Sequence, residues 1–369
     1  MYKGAIKVLI CMLLFSCKKD LPIITGCTDT NASNWSYEAN YDDGSCVYEY
    51  QPTPYQITTP YGFPDMIIPS ENQLTVEGIA LGKKLFNDPI LSADNSLSCS
   101  GCHMKNNSFA DNKKFSIGID NVEGSRNASA IINPGWNTSF NWDGSSSTLE
   151  EQAFEPVTNP IEMHDTWINV ENKLNNDSSY LLLFKNAFNT DYIDSIHVVK
   201  AIAQFERTLI SVNSRYDKWI RQELQLNSSE LNGFAIFNSE KGDCFHCHGT
   251  EMFMDNIFHN NGLDSIQTLY LGADLGLANV TNDPEDIAKF KTPTLRNIEF
   301  TAPYMHDGRF STLEEVIEHY DSGGNYSPTV DPLMKKIGVG LQLTNTEKQD
   351  LINFLKALSD YDFINNNNR

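Results

Sequence analysis

Cys99-Ser100-Gly101-Cys102-His103 and Cys244-Phe245-His246-Cys247-His248 stand 145 positions apart and share the pattern C-x-x-C-H. Two thiols three positions apart on one turn reach the two vinyl groups of a porphyrin, and the adjacent imidazole then lies over its iron. The pattern is read as covalent attachment of c-type haem, once at Cys99 and Cys102 and once at Cys244 and Cys247, with His103 and His248 as proximal iron ligands. A zinc site built from the four cysteines is the rival reading, and it leaves both trailing histidines without a role. A thioredoxin-like dithiol needs a βαβ setting that neither pair has. His246, inside the second motif, reads as a bystander at the haem edge.

Outward from these motifs the apolar pattern has a helical period. Val76, Ile79, Ala80, Leu81 and Leu85 form one stripe, Ile193 to Val212 reads as the longest helix, and Leu231 to Phe237 precedes the second cysteine pair. Thr312 to His319 and Glu347 to Leu358 follow, the last opening at Asn345 or Thr346 with Glu347. Between them lie long Gly, Asn and Asp segments at 104–147 and 249–300, which a compact domain tolerates only if something else organises them. A buried haem does that. The expected fold is mainly α: two cytochrome c-like helical domains at 74–222 and 223–360, with long haem-wrapping loops.

The N-terminal quarter reads differently. Lys3 and Lys7 precede the apolar run Val8 to Phe15, which is far short of the roughly 20 residues a membrane span needs. Leu14-Phe15-Ser16-Cys17 then reads as a lipobox, giving a signal peptide at 1–16, a lipid on Cys17 and a lipidated segment at 17–25. A plain secretory signal is the alternative. Residues 26–48 resemble a short disulfide module of secreted Bacteroidetes-type proteins, with Cys27 and Cys46 paired for ~3 kcal/mol in an oxidising compartment. Its Asp29, Asp42 and Asp43 offer cation ligands or, more simply, turns. Residues 49–73 read as an extended linker and 361–369 as a disordered tail. The expected location is the periplasm or cell surface, on a lipid anchor.

The 369 residues are 40% apolar and carry 48 acidic against 27 basic side chains, a net charge of −21. Such a surface repels nucleic acid and suits a basic partner, or simply keeps an exported protein soluble.

From about Leu74 to Leu358 the chain resembles the bacterial dihaem cytochrome c peroxidase family, which includes MauG. The resemblance rests on Leu81-Gly82-Lys83-Lys84-Leu85-Phe86, Arg126-Asn127, Trp142-Asp143-Gly144, Gln152 with Pro156, Glu162-Met163 and Phe258-His259-Asn260. It continues through Thr292-Pro293-Thr294-Leu295-Arg296-Asn297 and Thr301-Ala302-Pro303-Tyr304-Met305-His306-Asp307-Gly308. It implies that the haem on His103 is the peroxidatic one, with Glu162 as its distal acid–base group. Gln152 would hydrogen-bond in the same pocket, and Trp142 would lie between the haems. Asn127, Thr301 and the carbonyl of Pro303 match a calcium site between them, a set of hard oxygen ligands.

Two positions depart from the peroxidase pattern. Ile119, in Ser116-Ile117-Gly118-Ile119-Asp120, stands where many members carry a histidine that caps the peroxidatic iron, which implies a haem open to peroxide without reductive activation. Tyr320 stands where peroxidases place a methionine on the second iron, and MauG-type members use Tyr there; an oxygen ligand lowers that haem's potential. Met334 and His319 are the alternatives for this ligand, and His306 reads as a gating residue.

The implied activity is reduction of hydrogen peroxide to water, with electrons relayed through the His248 haem from a cytochrome c or small copper protein. The alternative is a MauG-like oxidase that uses peroxide to oxidise a protein or small molecule through a high-valent dihaem state. An electron-transfer lipoprotein without chemistry of its own is a third reading, and Glu162 and Gln152 argue against it. The resemblance also allows a homodimer, although no interface is legible.

Overall fold

The computed structural model describes residues 22–47 and 50–365. The residues read as a signal peptide, Cys17 and Asn366 to Asn368 lie outside the described residues. The chain divides into two units between Gln51 and Pro52.

In the first unit Cys27 and Cys46 form the disulfide. Two short strands, β1 (Thr25–Gly26) and β2 (Tyr41–Asp42), pair in parallel beside it. Asp29, Asp42 and Asp43 accept the backbone N–H groups of Asn31, Gly44 and Ser45 at 2.9–3.0 Å. Each closes an Asx turn.

The second unit is mainly helical. Its first half holds α1 (Val76–Asn87), the single turn α2 (Cys99–Cys102), α3 (Leu149–Thr158), α4 (Trp167–Asn175), α5 (Ser178–Phe188) and α6 (Ser195–Glu206). Then come α7 (Arg215–Ile220), α8 (Ser228–Phe237), the turn α9 (Phe245–His248), α10 (Ile266–Tyr270) and α11 (Ala278–Thr281). Helices α12 (Leu313–Ser322), α13 (Asn345–Ala357) and α14 (Tyr361–Asn365) complete it. A short antiparallel pair, β3 (Phe258–His259) and β4 (Phe290–Lys291), crosses the second long loop. The fold is that of cytochrome c-like helical domains.

Each half is organised by one close helix pair. In the first, α1 lies on α6, and a Cβ at Gly82 would come within 1.9 Å of the Ala201 carbonyl oxygen. Only glycine lets the backbones approach that far. Leu81, Leu85 and Phe86 then meet Val198, Ile202 and Phe205 in a buried core. In the second, α8 lies on α13, and a Cβ at Gly233 would stand 2.0 Å from the Asp350 carbonyl. Phe237, Phe253, Phe354 and Leu355 fill that core. The two loops at 104–147 and 249–300 stay largely irregular, as the pattern predicts.

Several boundaries differ from expectation. The helix expected over Ile193 to Val212 ends at Glu206, where Thr208 turns its hydroxyl onto the Phe205 carbonyl at 2.6 Å. A side-chain hydroxyl competing for a helix carbonyl is a common way to end a helix. Helix α13 starts from Thr344, whose side chain and Glu347 form a reciprocal capping box, rather than from Asn345 or Thr346. The segment read as a linker belongs to the body from Pro52 onward: Phe63 is buried against Trp136 at 5.2 Å, and the Trp136 indole donates to the Pro64 carbonyl at 2.8 Å. The tail is also corrected. Tyr361–Asn365 is helical, and Phe363 is fully buried against Phe109 in the first core. Burial of that ring contributes about 1.5–3 kcal/mol toward ordering the turn.

Candidate active site: two cavities with a shared wall

Helices α2 and α9 are single turns that place each cysteine pair beside its own cavity. Cys99 and Cys102 line one with a volume of about 760 Å³, and Cys244 and Cys247 line another of about 230 Å³. The four thiols are free and half-buried, so neither pair is a disulfide. Because the pairs face different cavities, they build no four-cysteine zinc site. Burial pushes the Cys244 thiol up to about 12, and burial also raises Cys99 and Cys102. These are not thiolates poised for exchange.

The histidines that follow are held alike. His103 Nδ1 lies 3.0 Å from the Phe109 carbonyl, and His248 Nδ1 lies 2.7 Å from the Phe253 carbonyl. A carbonyl there requires the proton on Nδ1, which leaves Nε2 as a lone-pair donor toward the cavity. Burial lowers both pKa values, so both rings stay neutral. A neutral imidazole is the form that ligates a metal.

In the larger cavity, Glu162 and Gln152 line the wall together with His103. Burial raises the Glu162 pKa, against a hydrogen bond from the Asn159 amide at 2.7 Å. The loop carrying Ile119 is pinned beside it: the Ile119 N–H donates to the Glu162 carbonyl at 3.0 Å. A Cβ on Gly118 would meet the Ile161 carbonyl at 2.2 Å. Ser116, Ile117 and Gly118 line the cavity, and among the described residues its histidines are His103 and His306.

The smaller cavity is lined by Tyr320 together with His248, Met305 and Met334. Burial pushes the Tyr320 phenol up to about 12, and the Asn261 amide donates to its oxygen at 3.2 Å. His319 turns away, with Nε2 3.1 Å from the Asn261 carbonyl. His259 sits between Asp331 at 2.6 Å and Asp255 at 2.7 Å. Burial disfavours its cation, but hydrogen bonds to Asp255, Cys247 and Asp331 outweigh that and lift its pKa to about 11.

Trp142 lines both cavities, and its indole donates to the Asn127 carbonyl at 2.8 Å. His306 shares that wall, stacked on Phe290 at 3.6 Å and edge-on to Trp142 at 6.5 Å. Asn127, Thr301 and Pro303 all line the smaller cavity. The Asn127 side-chain NH₂ points to the Lys113 and Lys114 carbonyls at 3.0 and 3.3 Å, which leaves its Oδ1 for another partner.

Residues 76–225 match the family model described as di-haem cytochrome c peroxidase. The chain is 37% identical over 294 residues to the methylamine utilization protein MauG of Methylorubrum extorquens, covering 79% of this chain and 80% of that one. The chain belongs to the di-haem cytochrome c peroxidase family. It is 34% identical over 281 residues to the cytochrome c551 peroxidase of Nitrosomonas europaea, covering 76% of this chain and 79% of the relative. The solved structure of a MauG-like protein associated with microbial copper homeostasis superposes with a TM-score of 0.79 at 35% identity, over 85% of this chain and 98% of that one.

As a member of this di-haem family the protein is a peroxide-acting oxidoreductase with two haem c groups. Its residues fit them: two free thiol pairs, each with a neutral histidine and its own cavity. Among the described residues no helix is long and apolar enough to cross a membrane.

Three residues escaped the sequence reading. Glu206 lines the larger cavity, fully buried, with Oε2 lacking a partner, and burial pushes its pKa up to about 8. An acid on the apolar stripe of α6 was its signal. Lys291 lines the smaller cavity and Asn261 holds Tyr320. Their only signal was adjacency to blocks that carry the resemblance, Asn261 after Phe258-His259-Asn260 and Lys291 before Thr292-Pro293.

Proposed function

We propose that the protein reduces hydrogen peroxide to water in its larger, N-terminal cavity, with electrons entering on the side of its C-terminal cavity. The balance is one peroxide, two protons and two electrons to two waters. Cys99, Cys102 and His103 hold one haem, and Cys244, Cys247 and His248 hold the other. Bound haem supplies the iron that holds and reduces peroxide in the first cavity and the centre that receives donor electrons in the second.

The observation that carries this reading is Glu162, a buried carboxyl in the His103 cavity with a raised pKa. Its carboxylate takes a proton from the nearer peroxide oxygen and returns it to the leaving one. Asn159 holds the carboxyl oriented, and Gln152 supplies a second polar group to the same pocket. Ile119 offers no iron ligand, so peroxide enters without a preceding reduction. Trp142 joins the two cavities as the connecting ring. Asn127, Thr301 and the Pro303 carbonyl hold a calcium ion beside it, whose charge suits oxygen-only ligands.

The donor is a small cytochrome c or copper protein whose basic face meets this chain's net charge of −21. A lipid on Cys17 ties the protein to a membrane facing the periplasm or cell surface, and a homodimer is its assembly. The mass of the N-terminal peptide and sedimentation velocity check these two points.

The test is peroxide turnover with reduced cytochrome c. Glu162→Gln is expected to slow it by roughly 10²–10⁴-fold. Equal turnover would end the proposal.

Tyr320 favours a second reading, in which peroxide's two oxidising equivalents pass to another protein or small molecule. An oxygen ligand makes the second haem a poor acceptor from a high-potential donor. Slow turnover with cytochrome c, beside a long-lived spectral change after peroxide alone, would select it.

A further inference from the structure

Between the two cavities lies a third, of about 120 Å³, lined on one side by His103 and Gln152 and on the other by Lys291. Lys291 ends β4, and its backbone N–H donates to the Trp142 carbonyl at 2.9 Å. Its side chain is 8% exposed and also lines the cavity of Cys244, Cys247 and His248. Among the described residues its ammonium has no hydrogen-bond or ion-pair partner.

That is an expensive arrangement. A buried cation without a counter-charge loses its hydration and gains nothing in exchange. Burial accordingly pushes the Lys291 pKa down to about 8, with only the field of Asp255 opposing it. Asp255 is already bound to His259 at 2.7 Å. The contrast with His259 is direct, since that cation has a carboxylate on each ring nitrogen. The small cavity adds two more buried polar atoms without partners, Ser139 Oγ and Asn137 Oδ1.

An anion carried by a group in the adjoining cavity would supply the counter-charge that Lys291 lacks among the described residues. A c-type haem keeps two propionate carboxylates after its vinyl groups have joined the cysteines. We propose that Lys291 is the counter-ion of a propionate of the haem held at Cys244, Cys247 and His248. This rests on the reading that those three residues hold a haem. The propionate accepts from the Lys291 ammonium, and the Ser139 hydroxyl is a second donor lining the same corner. Lys291 is thus a positioning residue: its backbone is tied to Trp142, and its ammonium would hold a propionate and keep a positive charge beside the C-terminal cavity.

A cation near a haem disfavours its oxidised, more positive state, so removing the cation lowers the potential. The experiment is spectroelectrochemical titration of the haem-loaded protein at pH 6.5, comparing wild type, Lys291→Met and Lys291→Arg. Peptide mass spectrometry of both cysteine motifs runs alongside. The C-terminal haem of Lys291→Met is expected to titrate at a lower potential, with the N-terminal haem unmoved, and Lys291→Arg is expected to restore most of the shift. Unchanged potentials with both haems attached would overturn the proposal, as would a shift confined to the N-terminal haem. Absence of a haem mass at Cys244 and Cys247 in wild type would instead refute the underlying reading. If Lys291→Met does not fold, a crystal structure of the wild-type haem-loaded protein decides. Lys291 Nζ out of hydrogen-bond reach of every propionate oxygen refutes the pairing.

Discussion

The two cavities are nearly the same on one side and unlike on the other. On the proximal side each has a single helical turn, a free cysteine pair and an imidazole pinned through Nδ1 to a phenylalanine carbonyl, Phe109 or Phe253. Behind each stands a helix pair brought close by one glycine, Gly82 or Gly233. Opposite, the N-terminal cavity is about 760 Å³ and carries Glu162 and Gln152, whereas the C-terminal one is about 230 Å³ and offers Tyr320. The shared half gives each side a place for a haem. In the reading proposed above, the differing half decides whether a small molecule or a side chain faces it.

The sharpest way to break this comparison is to swap the loss between sides. Glu162→Gln is expected to cost roughly 10²–10⁴-fold in peroxide turnover while leaving the spectrum of the C-terminal haem alone. Tyr320→Phe should do the reverse to the spectra, moving the C-terminal haem and sparing the N-terminal one. The acid limb of kcat/KM should lie above the ordinary carboxylate range, because burial raises Glu162, and it should vanish in Glu162→Gln.

A smaller effect tests Glu206, which lines the N-terminal cavity. Its folded pKa is about 8 against 4.5 in the unfolded chain. Below pH 4.5 both states hold the proton and pH has no leverage. Between 4.5 and about 8 the unfolded chain ionises first, so stability falls as pH rises, by up to about 5 kcal/mol. Denaturant unfolding of Glu206→Gln at pH 5 and pH 8 should lack this loss, and an identical slope in wild type and variant would remove Glu206 from the account.

The smallest effect sharpens the other side. Asn261→Ala removes the amide that donates to Tyr320 at 3.2 Å. Expected are a stability loss of about 1 kcal/mol, read from thermal unfolding, and a broadened spectrum of the C-terminal haem.

Much of this was legible in the sequence because the signals were local. The cysteine motifs, the α1 stripe and the helical stretch from Thr312 to His319 are each contained in a few neighbouring residues. Glycine at 82 in Leu81-Gly82-Lys83-Lys84-Leu85-Phe86 could be quoted, but its reason, the approach of Ala201, is visible only in three dimensions. The failures are tertiary in origin. Phe63 and Phe363 sit in polar stretches that read as linker and tail, and each is ordered by a distant partner, Trp136 or Phe109. Whether Lys291 or Asn261 faces solvent or a cavity depends on how a long loop folds back, which period and propensity do not encode.

Phe363 carries one last implication. The first core, whose earliest strip is α1, takes in a ring that follows α13 in the chain. The N-terminal core therefore gains its Phe363 contact only after α13, the last helix of the C-terminal core, has been made. The two halves, for all their internal likeness, are tied into one cooperative body rather than strung together as independent beads.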